Sequence, residues 1–109
     1  MVEGAKDLVA DKLDKLVSKV MGTASFRNAD KNQLDDMLDL MKKLESDVDN
    51  TSLVWSVRIK KAQDLQHIVE NILNHPSAKK ILDPMYLNQI ESILPRMEKK
   101  IKETKIQAR

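Results

Sequence analysis

The chain is 109 residues long, with 41% apolar residues, one each of Trp, Tyr and Phe, two glycines, three prolines and no cysteine. That is room for one compact domain, and too little for a core plus a deep substrate cleft with its own supporting shell. The lack of cysteine excludes disulfides, cysteine-zinc sites and a thiol nucleophile and suits a reducing compartment, while a formal charge of +2 rules out bulk attraction to nucleic acid as the main theme.

Charge is uneven along the chain. From Arg96 to the end six basic residues face two acidic ones, a balance of +4, so residues 1–95 carry −2. The basic end 96–109 reads either as a solvated helix end, where Lys and Arg are favoured, or as a weak phosphate-contacting tail. Residues Met1 to Asp7 show no basic start followed by an apolar stretch, and no apolar run is long enough to cross a bilayer, so neither secretion nor membrane contact is expected and an intracellular location is.

Apolar residues recur at helical spacing throughout. Val9, Leu13, Leu16, Val17, Val20 and Met21 predict a first helix from about Ala5 to Met21, ended by Gly22. Residues 22–28 have no period and read as a connection. Asp30, three residues before Gln33, approximates a capping box for a second helix, whose face is Leu34, Met37, Leu38, Met41, Leu44 and Val48. The turn cluster Asp49-Asn50-Thr51-Ser52 offers oxygens to cap a third. That helix carries two neighbouring stripes, Val54/Val57/Leu65/Ile68/Ile72 and Trp55/Ile59/Ala62/Val69/Leu73, wide enough to make it the central one with Trp55 as a core anchor. It ends near Asn74, since the residue before Pro76 is pushed out of the helical region. Ser77 can start a short piece holding Ile81 and Leu82, and Asp83-Pro84 is a restart signal. The last helix presents Leu87, Ile90, Leu94, Met97 and Ile101, with Pro95 inside it predicting a bend or a break near residues 91–94. The expected fold is all-α, a compact bundle of four to five helices forming one domain over residues 1–109, with no strand pattern and no internal repeat.

Catalytic constellations are thin. His67 and Glu70 stand three apart on one helix, but no second His-carboxylate pair completes a di-metal site, and His67 reads as a surface residue in an ion pair. His75 reads as a helix-end residue. Neither glycine joins a strand to a helix, so no phosphate cradle is present. The expectation is a non-enzymatic chain without metal or cofactor. Phe26, the only phenylalanine, lies in a connection and either plugs the bundle end or marks a contact surface. Most of the six methionines read as core gap-fillers, Met37, Met41 and Met97 lying on core faces.

Three runs together carry a family resemblance: Leu8-Val9-Ala10-Asp11-Lys12-Leu13-Asp14-Lys15-Leu16-Val17, then Met37-Leu38-Asp39-Leu40-Met41-Lys42-Lys43-Leu44, then Leu53 to Val57-Arg58-Ile59-Lys60-Lys61-Ala62. In order, they resemble the N-terminal domain of transcription elongation factor TFIIS, a family that includes the integrase-binding domain of LEDGF. The resemblance spans about half the chain, with Lys60 where the family prefers glycine, Val57 at its threonine, and no tryptophan-basic pair in the last helix. It implies a monomeric, nuclear, right-handed bundle of the elongation machinery that captures disordered segments of transcription or chromatin factors. In the LEDGF-like branch the partner docks at one bundle end, between the first connection and the one before the last helix. Carried onto this chain, that implies Phe26, Arg27 and Asp30 on one side and His75, Lys79 and Lys80 on the other, with the bases meeting an acidic peptide. Two rival readings remain: self-association through Leu87, Leu94, Met97 and Ile101, and weak nucleic-acid binding through Lys99, Lys100, Lys102 and Lys105.

Overall fold

The computed structural model describes residues 8–23, 31–76 and 78–107, and every regular element among them is helical. Four long helices and one short piece follow in order: α1 (Leu8–Thr23), α2 (Lys31–Val48), α3 (Trp55–Asn74), α4 (Ala78–Ile81) and α5 (Pro84–Gln107). The expected all-α bundle is therefore the fold. The stripes read from the sequence are the faces that meet. Leu13, Val17 and Val20 of α1, Met37, Met41 and Leu44 of α2, Leu65, Val69 and Ile72 of α3, and Ile90 and Met97 of α5 are buried in one core. Met37, Met41 and Met97 fill that interior as gap-filling residues do.

α3 is the central helix, packing against α1, α2, α4 and α5, with its broadest contact along α5. Side-chain pairings set the directions of its neighbours. The Arg58 Nε donates to the Val48 carbonyl at 2.7 Å and Lys61 pairs with Asp47, so α2 and α3 run antiparallel. Tyr86 bonds Asp35, Arg96 pairs with Glu45 and Lys100 with Asp49. Each of these pairs is separated by the same 51 residues, which makes α2 and α5 parallel and in register. The starts of α2 and α5 therefore share one end of the bundle, and the start of α3 lies at the other.

Several local expectations need correction. Trp55 is no core anchor: it is 52% exposed, and Val54 and Val57 beside it are also exposed. They occupy the start of α3, beyond the last turn of α2, where that helix no longer covers them. The Asp49–Ser52 cluster does not cap α3. Its cap position is Val54, with no side-chain hydrogen bond. The cluster closes on itself instead, Asn50 Oδ1 accepting from the Ser52 amide at 3.0 Å and from the Ser52 hydroxyl, the self-contained turn that Asn favours. α1 continues through Gly22 to Thr23. The Asp30 capping box and the Ser77 start lie outside the described residues.

Pro95 does not break α5, which is continuous from Pro84 to Gln107. Proline deprives the Glu91 carbonyl of its helical donor, but both residues are exposed, so water can serve that carbonyl. Replacing Pro95 with alanine restores the bond on the solvent side and is expected to raise stability by about 1–3 kcal/mol, measured by urea unfolding; a loss of stability would show that the bundle needs the proline's geometry. Met97 and Ile101 are buried within the single copy, and Leu87 and Leu94 pack partly against the same core, so the stripe behind the self-association reading is mostly spent inside the fold.

Candidate functional site

Of the residues implied by resemblance, His75, Lys79 and Lys80 fall at the end where α2 and α5 begin. Phe26, Arg27 and Asp30 lie outside the described residues. His75 follows the last turn of α3, half-buried, and its amide donates to the Ile72 carbonyl at 3.1 Å. Its own carbonyl accepts from Ala78 at 3.0 Å, which leads the chain directly into α4. Lys79 lies in α4, and Lys80 beside it is exposed. Ala78 and Leu82 are buried, so α4 is clamped to the bundle by its apolar side.

The residue that ties this end together was not singled out from the sequence. Tyr86, in the first turn of α5, is buried, and its hydroxyl donates to Asp35 Oδ1 at 3.0 Å. The hydrogen bond to Asp35 is the main reason its pKa lies above the ordinary tyrosine value of about 10. Burial and the nearby Asp35 and Asp83 charges push it the same way. A group whose pKa is raised on folding stabilises the fold fully below its unfolded value, so this contribution persists at neutral pH and disappears as pH rises above 10 through the raised value. Tyr86 is the only tyrosine, which makes the expectation direct to test. An ultraviolet absorbance titration should place its ionisation above that of free tyrosine, and Asp35→Ala should move it down; an unchanged midpoint in the variant would remove the hydrogen bond from the account.

The opposite end is dominated by internal ion pairing. The last turns of α2 carry Glu45 and Asp47, Asp49 follows directly, and each is met by a base from another helix. Arg96 takes Glu45 in a two-pronged contact at 3.1 and 2.7 Å, Lys61 meets Asp47 at 3.4 Å, and Lys100 pairs with Asp49. Arg58 caps the α2 terminus through the Val48 carbonyl, where a cation is favoured by the helix dipole. Two of the basic residues of the C-terminal region, Arg96 and Lys100, thus bind α2. Of the lysines in the nucleic-acid reading, Lys99, Lys102 and Lys105 are exposed, Lys102 pairing with Glu98 at 3.4 Å.

A cleft of about 280 Å³ between α1 and α3 is lined by residues that include Asp11, Asp14, Lys60, Asp64 and His67. Two of its carboxylates are already paired, Asp11 with Lys15 at 3.1 Å and Asp64 with Lys60 at 2.8 Å. Among the described residues no group of three or more His, Asp or Glu side chains is placed to hold a metal ion. Glu70 is exposed and does not line the cleft. No described helix is long and apolar enough to cross a membrane. Compared with protein-family models, with curated proteins and with solved structures, the chain matches none.

Proposed function

We propose that this chain is a non-enzymatic protein-protein interaction module of the nuclear transcription elongation machinery, a monomer that needs no cofactor and captures short disordered segments of partner factors at one bundle end. The observation that supports this reading is the Tyr86–Asp35 hydrogen bond. It holds the first turns of α2 and α5 side by side, so the connection leading into α2 and the connection carrying His75, Lys79 and Lys80 leave from the same end. A bundle end is suited to such work because its rigid helices fix the connections around it, while the core behind remains closed. The partner would insert an apolar side chain beside Phe26 and turn its acidic groups toward Arg27, Lys79 and Lys80. The same groups must avoid Asp35 and Asp83, whose charges would repel them.

The test is a titration of the isotopically labelled protein with acidic peptides containing an aromatic residue, followed by NMR. Shifts concentrated in residues 22–30 and 74–80 are expected. Shifts confined to other regions would overturn the site.

A further inference from the structure

Five large apolar side chains are exposed among the described residues, and three of them fall within four consecutive positions: Val54 at 62%, Trp55 at 52% and Val57 at 42%. This concentration lies at the end opposite the one discussed above. Arg58 reaches the last turn of α2, and Lys100 pairs with Asp49 just beyond that turn. α5 then continues seven residues past Lys100, about 10 Å at helical rise, so its last turns flank the start of α3 and carry exposed Ile106 to the same end. Trp55 is one helical turn before Ile59, which is buried, so it extends the core stripe past the point where the bundle covers it.

Electrostatics indicate what could cover this surface. Residues 8–15, 45–64 and 96–107, the described residues toward this end, hold ten Lys and Arg against eight Asp and Glu, an excess of two that equals the net charge of the whole chain. The carboxylates Glu45, Asp47 and Asp49 at the end of α2 and just past it are already matched by internal bases. The first turn of α3 has no acidic residue and its cap makes no side-chain hydrogen bond, so that turn supplies no counter-charge to the positive helix end. Exposed apolar surface with surplus positive charge fits an acidic segment that carries aliphatic or aromatic side chains.

We propose that the start of α3 and the last turns of α5 form a second docking surface, centred on Trp55, for an acidic, apolar-rich peptide segment. Because Trp55 is the only tryptophan, its fluorescence reports occupancy directly. The probe is a synthetic peptide free of tryptophan that alternates Asp and Glu with Leu and Phe. Its counterpart with Lys replacing the acids, a single-stranded oligonucleotide and vesicles containing phosphatidylserine serve as comparisons. The acidic peptide should shift Trp55 emission to shorter wavelength and saturate. Reversing charge in the double variant Lys102→Glu, Lys105→Glu should weaken binding about tenfold, and Val54→Asp, which supplies an N-cap the helix lacks, should weaken it without loss of helicity. An absent shift, an equal shift from the Lys peptide, unchanged affinity in the charge-reversed variant, or a response only to oligonucleotide, vesicles or rising protein concentration would each overturn the proposal. Binding at residues 22–30 and 74–80 is read separately, because none of these substitutions lies at that end.

Discussion

Leu65→Ala should lower the unfolding free energy by about 3 kcal/mol, whereas Trp55→Ala should cost about 1 kcal/mol or less. Leu65 is fully buried on the central helix, with α1, α2 and α5 all packed against that helix, so its removal leaves a cavity that no single neighbour can close. Trp55 has a larger side chain but is half exposed, and loses little contact on truncation. Urea unfolding of the two variants, with equal slopes, checks the order. A tryptophan variant less stable than the leucine variant would mean that the start of α3 is packed and not open.

The second large effect concerns Arg58. Its guanidinium donates to the Val48 carbonyl across the α2–α3 turn, in a partly buried position, so it satisfies an orphan helix-end acceptor and opposes the α2 dipole at once. Arg58→Met keeps most of the apolar stem while removing both effects, and should cost about 2 kcal/mol. The loss should appear in amide exchange first at residues 45–50, where the cap acts. Uniform loss of protection across all helices would indicate a general packing role instead.

The sequence was most informative where periodicity alone decides the outcome. Steps of three and four residues in α2 identified Leu34, Met37, Leu38, Met41, Leu44 and Val48, all of which are buried, and Asp83-Pro84 located the start of α5. Periodicity describes a face but not how far a neighbouring helix covers it, which is why Val54, Trp55 and Val57 were assigned to the interior. The break that Pro95 could have caused is absent for a related reason: the cost of a missing donor depends on which side of the helix it faces, and the exposed side tolerates it. The pairings of Glu45 with Arg96 and of Asp35 with Tyr86 join residues 51 apart, a separation without local signal, so they emerged only when α2 and α5 were seen lying parallel. Of the residues implied by resemblance, His75 and Lys80 are at the expected end, while Phe26, Arg27 and Asp30 fall outside the described residues.

The parallel register of α2 and α5 underlies the assignment of both docking ends, and the absence of cysteine permits a clean measurement of it. Spin labels attached through Asp36→Cys with Asn88→Cys, and through Asp36→Cys with Glu103→Cys, probe exposed positions separated along the helix axes by roughly one residue and by roughly sixteen, or about 24 Å, in the latter pair. Pulsed electron paramagnetic resonance should find the 36–88 pair closer than the 36–103 pair by more than about 10 Å. Equal separations, or the reverse order, would contradict the parallel arrangement and remove the shared end on which the functional reading rests.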